Sequence, residues 1–211
     1  HDLSDLLERS SASRRASDQG LPNLLPRVGV TMVRVTVSGH PGSGTSTLVH
    51  ALAERYGWTT LNGGQIFREE AARRGLDLGA FGRLCADDPS VDRELDALLQ
   101  ERMQAEGGPD VVESRMAGWW SYRLGLGGLR VWLEVDEHER ARRVVMREGG
   151  DLESALEANQ QRRAVDGARF EELYGIQPED AEPYSHVLDA SRLDAAEVLA
   201  AVVAMIEEDA A

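Results

Sequence analysis

From residue 33 onward, five short apolar runs alternate with segments of helical periodicity. Residues 33–37 (VRVTV) alternate β-branched and polar positions, which predicts a strand. Residues 45–56 place Leu48, Ala51 and Leu52 on one face, which predicts a helix. A short strand is expected at 58–61, then helices at 65–74, 78–86 and 90–105, punctuated by Gly75 and Pro89. Residues 111–113 and 129–135 read as strands, and 137–148 and 152–173 as helices. A last strand is expected at 186–189 and a last helix at 194–206. Such alternation implies an α/β fold with a parallel sheet covered on both faces. Ligands bind these sheets beyond the carboxyl ends of the strands. The loop after Val37, the loop after Leu61, the segment from Glu113 to Arg115 and the segment after Val135 should meet there. There is no internal repeat.

Residues 1–31 lack this pattern. The stretch 9–20 is rich in Ser and Arg, Pro22 and Pro26 follow, and only 2–8 suggests a short helix. The domain is expected to span 32–211, beginning at Met32, with 1–31 a mobile extension.

Composition narrows the function classes. A chain of 211 residues, 42% hydrophobic and 28% charged, suits one globular domain with a sizeable core. No apolar run approaches the roughly 20 residues that span a bilayer, so no membrane partner is expected. Cys85 is the single cysteine, which excludes an intrachain disulfide and a cysteine-based zinc site and fits a cytoplasmic setting. The net charge of −14 excludes a general nucleic-acid binder, which would carry a basic footprint. All 23 Lys and Arg positions are arginine.

That last fact bears on residues 39–47, Gly-His-Pro-Gly-Ser-Gly-Thr-Ser-Thr. They match the phosphate-binding pattern Gly-x4-Gly-Lys-[Ser/Thr] at Gly39, Gly44 and Ser46, but Thr45 occupies the lysine position. Glycines let backbone N–H groups converge on phosphate, and the helix N-terminus adds partial positive charge. Gly39, His40, Pro41, Gly42, Ser43, Gly44, Thr45, Ser46 and Thr47 are therefore the expected ATP-binding residues. Ser46 stands where a hydroxyl ligates Mg²⁺. With no lysine in the chain, the remaining positive charge must come from arginines and a metal ion.

Several separated segments then resemble one family: 37–47, Asn-Gly-Gly-Gln-Ile-Phe-Arg at 62–68, Phe-Gly-Arg-Leu-Cys-Ala-Asp-Asp-Pro-Ser-Val-Asp at 81–92, Glu-Ser-Arg-Met-Ala-Gly-Trp at 113–119 and Tyr-Gly-Ile at 174–176. In order and spacing they resemble the archaeal type of cytidylate kinase, within the nucleoside monophosphate kinases and the P-loop NTPases. The likeness covers almost all of 33–208. It implies a three-layer fold with a five-stranded parallel sheet, a helical region that binds the acceptor nucleotide, and a short lid. It also implies transfer of the γ-phosphate of ATP to CMP or dCMP with Mg²⁺, by a monomer. Archaeal members often carry Thr at the lysine position.

The resemblance assigns roles residue by residue. Arg162, Asp166 and Arg169 form an Arg-x3-Asp-x2-Arg run whose spacing places all three on one helix face. The family uses such a run with arginines on phosphate and Asp on the cytosine amino group. Arg115 and Arg68 match elements that contact the acceptor, and Glu113 is expected to hold a metal-bound water. Arg140, Arg142, Arg143 and Arg147 are lid candidates before the Gly149-Gly150 hinge, with Arg143 or Arg147 expected to reach the transferring phosphate. The catalytic set is thus Arg115, Arg143, Arg162 and Arg169. Trp119 and Trp120 are expected to pack in the core. Two departures stand out: Gln65 replaces an acid, and Ala97-Leu98-Leu99 replaces a stretch bearing Arg and Gln.

The acceptor is already anionic, so no general base is needed, and catalysis reduces to alignment and charge neutralisation. The alternatives are a kinase accepting UMP or AMP, a nucleotide-binding regulatory protein without transfer, and a small-metabolite kinase on the same fold.

Overall fold

A computed structural model describes residues 33–210 of the chain. The extension at 1–31 and its suggested helix lie outside the described residues. Five strands form one parallel sheet: β1 (Val35–Gly39), β2 (Thr60–Asn62), β3 (Val111–Glu113), β4 (Leu129–Glu134) and β5 (His186–Asp189), ordered β2-β3-β1-β4-β5. Val37 lies opposite Glu113 on one side and Val131 on the other, so the loop leaving β1 emerges between the ends of β3 and β4. Two strands start later than their apolar runs. β1 begins at Val35 and β2 at Thr60, because their partner β3 begins at Val111 opposite both. Trp58 stacks on Tyr56 instead, with ring centroids 4.3 Å apart.

The helices are α1 (Thr45–Tyr56), α2 (Gly63–Arg73), α3 (Leu78–Asp87), α4 (Pro89–Gln104), α5 (Ala117–Arg123), α6 (Glu137–Glu148), α7 (Leu152–Tyr174) and α8 (Ala195–Asp209). Their starts are written in side chains. Asn62, Asp77, Asp136 and Asp151 each accept from backbone N–H groups two or three residues on, satisfying donors that a helix start leaves open. Asp88 does the same ahead of Pro89 at the first position of α4. Asp194 and Glu197 form a reciprocal capping box on α8.

α5 was not expected from periodicity. Ala117, Gly118, Trp119, Trp120 and Ser121 are all buried, so no polar face alternates with an apolar one. Gly118 is required by a close approach: a Cβ there would sit 2.2 Å from the Tyr184 ring. Trp119 and Trp120 pack in the core, as their composition suggests.

The sheet is the middle of three layers. α1 and α8 bring Leu48, Leu52, Val198 and Val202 against Val35, Val37, Val131 and Leu133. On the other face Ile66, Leu99, Met103, Trp120 and Phe170 pack over Leu61 and Val112. Each such fully buried side chain contributes about 1.5–3 kcal/mol. A third, smaller cluster of Ala71, Phe81, Cys85 and Val91 holds α2, α3 and α4 together beyond the sheet edge. Among the described residues no helix is long and apolar enough to cross a membrane.

Candidate active site

A cleft of about 820 Å³ opens over the carboxyl ends of β1, β2 and β3. Its near half is the loop between β1 and α1, lined by Gly39, His40, Pro41, Gly42, Gly44, Thr45, Ser46 and Thr47. Ser43 is buried beneath them. Gly42 has φ +86°, and a Cβ there would lie 2.8 Å from the Arg140 carbonyl oxygen, so only glycine lets the loop run this close to α6.

Two arginines of α6 hold the loop from behind. Arg140, buried, donates to the Pro41 carbonyl at 3.3 Å and to Val135 at 3.2 Å. Arg143 donates to the Ser43 carbonyl at 3.1 Å, to Ala190 at 2.6 Å, to Leu193 at 3.3 Å and to Glu139 at 2.8 Å. A guanidinium on a carbonyl oxygen polarises that peptide, and the N–H on its far side becomes a better donor. Arg140 and Arg143 thus act on the peptides that precede Gly42 and Gly44. Positive charge lies behind the loop where the sequence offers none within it.

This alters the expectation for Arg143. Every nitrogen of its guanidinium is engaged with the loop, the segment after β5 or Glu139, and it does not line the cleft. Arg147 does line it, one helical turn on and exposed, with Glu148 as its partner at 2.5 Å. Of Arg143 and Arg147, only Arg147 lines the cleft.

Glu113 ends β3 beside the loop. Its Oε1 accepts from Thr45 Oγ1 and Ser46 Oγ, both at 2.7 Å, and its Oε2 accepts from Asn62 Nδ2. Two hydroxyls and a carboxylate form an oxygen donor set of the kind Mg²⁺ takes. Among the described residues no group of three His, Cys, Asp or Glu side chains could hold a metal unaided, so a cation here draws further ligands from the nucleotide and water.

The far half of the cleft is walled by α7 and α4. Asn159, Arg162, Asp166, Arg169 and Phe170 line it from α7, and Asp92, Leu95, Asp96 and Leu99 from α4. Arg68 and Arg115 face it from α2 and the end of β3. The structure therefore brings Arg162, Asp166 and Arg169, which their spacing set on one helix face, into one cleft with Arg68 and Arg115, which the resemblance singled out. Arg115 Nε lies 2.9 Å from Asp166 Oδ2, and Arg169 lies 3.8 Å from the other oxygen of Asp166. Burial lowers the Arg115 pKa from its ordinary value, Asp166 opposes this, and Arg162 and Arg169 add to it. A cluster of this kind gains by binding an anion.

Three lining residues carried no sequence-level role. Asp92, buried, pairs with Arg169 at 3.2 Å. Asp96 accepts from the Tyr174 hydroxyl at 2.7 Å, and burial pushes its pKa up to about 6 against the pull of that hydroxyl and Arg169. Asn159 is buried with its Nδ2 lacking a hydrogen-bond partner. The available signal was the 92, 95, 96, 99 spacing, which sets two acids on the apolar face of α4. Of the departures, Leu99 forms part of the cleft wall, whereas Gln65 is exposed and bonded to Glu69 at 2.8 Å.

A glycine-rich loop at the head of α1, an acid on the adjacent strand and a facing set of arginines define a phosphoryl-transfer kinase of the P-loop class. A family model described as an AAA domain matches residues 38–157. The cytidylate kinase of Methanopyrus kandleri is 38% identical over 182 residues, covering 83% of this chain and 93% of that relative. The cytidylate kinase of Pyrococcus furiosus is 37% identical over 176 residues, covering 82% and 88%. Among solved structures, a gluconokinase from Sinorhizobium meliloti 1021 shares the fold with a TM-score of 0.55 at 20% identity, covering 85% of this chain and 94% of that one. A shikimate kinase from Bacteroides thetaiotaomicron does so with a TM-score of 0.53 at 15% identity, covering 83% and 99%. The chain belongs to the cytidylate kinase family.

Proposed function

We propose that this chain transfers the γ-phosphate of ATP to the phosphate of CMP or dCMP. The observation that carries the reading is the ring of Arg68, Arg115, Arg162 and Arg169 across the cleft from the loop. A protein that only sensed ATP would have no use for a second anion site facing the first. Family membership supplies the acceptor class.

ATP lies with its β- and γ-phosphates on the loop amides and the start of α1. Ser46, with Glu113 acting through water, would hold Mg²⁺, which when bound offsets charge on the phosphate oxygens. The acceptor phosphate lies on Arg115, Arg162, Arg169 and Arg68. One of its oxygens bonds to the γ-phosphorus while the bond to the β–γ bridging oxygen breaks, and ADP leaves. No proton must be abstracted, so arginines and oxygen donors suffice, and His40 in the loop is not needed as a base. Arg147 closes from the lid toward the moving phosphoryl group. The reaction belongs in the cytoplasm and requires one copy of the chain.

The test is ADP release with ATP and Mg²⁺ and, in turn, CMP, dCMP, UMP and AMP. Preference for CMP or dCMP is expected. Equal use of UMP or AMP would sink the acceptor assignment, and ATP binding without acceptor-dependent ADP release would leave a regulatory protein.

A further inference from the structure

The wall of the cleft farthest from the loop contains a half-buried acid, Asp96, that the transfer mechanism does not use. Along α7, Arg162, Asp166, Arg169 and Tyr174 stand successively farther from the lid, at about 1.5 Å per residue. Asp166 meets Arg115 beside the phosphate loop, Arg169 meets Asp92 about a turn on, and Tyr174 meets Asp96 beyond that. Arg115 and Arg162 at one end of this wall and Asp96 at the other line the same cleft, which leaves room for an acceptor phosphate at the first and its base at the second. There Leu95, Leu99, Ile66 and Phe170 offer flat apolar contact.

We infer that Asp96, oriented by the Tyr174 hydroxyl, selects the acceptor base by accepting from the exocyclic amine of cytosine. Asp166 is unsuited to that task, because both its oxygens face arginines. The chain also lacks the polar Arg- and Gln-bearing stretch at 97–99, which leaves α4 with Asp92 and Asp96 as its polar groups in the cleft. Asp92 is held by Arg169. A carboxylate accepts hydrogen bonds and donates none, so it favours the amine of cytosine and repels the carbonyl that uracil carries at the same position. Only the carboxylate oxygen not held by Tyr174 is left facing that carbonyl, and two acceptors set against each other repel, which turns one contact into discrimination. Asp96 is a specificity residue and Tyr174 a positioning residue for it.

This inference rests on the function proposed above. The experiment measures kcat/KM for CMP and UMP on one preparation of wild type, Asp96→Asn, Tyr174→Phe and Asp166→Asn. A ratio taken on one preparation cancels the fraction of folded enzyme. Asp96→Asn supplies an amide that can donate to uracil, so the CMP/UMP ratio is expected to fall by about 10-fold or more. Tyr174→Phe should lower the ratio less, and Asp166→Asn should depress both acceptors together. If Asp96→Asn turns over neither acceptor, calorimetric affinities for CMP and UMP report the same ratio. An unchanged ratio in an enzyme that prefers CMP would overturn the role of Asp96 alone. A wild type with no acceptor-dependent turnover would overturn the function itself.

Discussion

Thr45 donates its hydroxyl to Oε1 of Glu113 at 2.7 Å. The residue at the lysine position of the loop is thereby tied to the acid at the end of the neighbouring strand, which also receives Ser46 and Asn62. A charge missing from this place is offset from behind, where Arg140 and Arg143 donate to the carbonyls of Pro41 and Ser43. Thr45→Lys tests this directly. Its ammonium would pair with Glu113, and kcat/KM for ATP should change by less than about 10-fold. A gain well beyond that in steady-state turnover would show that Thr45 is a handicap the arginines do not relieve.

Arg143 and Arg147 sit one turn apart on α6 but have separable roles. Arg143→Ala frees the carbonyls of Ser43, Ala190 and Leu193, so the loop loses its fixed shape. The expected result is a raised KM for ATP and a lower Tm, with the larger share of the loss recovered at saturating ATP. Arg147→Ala removes an exposed side chain and should leave Tm unchanged while lowering kcat, by about 10-fold or more if it reaches the transition state. Reversal of these two patterns would return Arg143 to the catalytic set.

Arg162 and Arg169 both line the cleft, yet only Arg169 is paired with a buried acid. Arg169 neutralises Asp92, whose side chain is 7% exposed. Arg169→Ala leaves that carboxylate buried and unpaired, at a cost of about 1–3 kcal/mol. Arg162 is exposed in the cleft, so its removal should leave stability unchanged. Both variants should lose up to about 10³-fold in kcat/KM for CMP with ATP binding retained. Thermal unfolding with acceptor kinetics checks the pair; turnover near wild type in either removes it from the site.

The layered fold was legible because every strand but β3 is a short apolar run ahead of an amphipathic helix, and the glycine loop pointed to the sheet edge that holds the cleft. α5 escaped because burial on nearly all sides removes the polar contrast that periodicity detects. The arginines at 115, 162 and 169 and Asp166 were readable from spacing and resemblance. Asp92 and Asp96 were not, since an acid on a helix reads as a solvated face until its neighbours are known. Arg143 and Arg147 could not be told apart as candidates for the transferring phosphate, because sequence gives the side chains but not the carbonyls of Ser43, Ala190 and Leu193 to which Arg143 donates.

His40 gives a pH signature that belongs to the loop. Its ring is buried, packs edge-on against Trp132 with centroids 5.0 Å apart, and lies 3.7 Å from Glu179. Burial lowers its pKa from 6.5 to about 4, against the opposing pull of Glu179. A histidine with a depressed folded value is neutral in both states above 6.5. As pH falls from 6.5 toward 4, the unfolded chain takes a proton that the folded chain does not, so stability declines over that window. Asp96 works the other way, because its folded value of about 6 lies above the ordinary 3.8. Comparison with His40→Asn isolates the histidine. The difference in Tm between wild type and variant should be constant above pH 7 and shift against the wild type as pH drops toward about 4.5. Parallel Tm profiles across that range would mean that His40 titrates normally and that its burial does not hold it neutral.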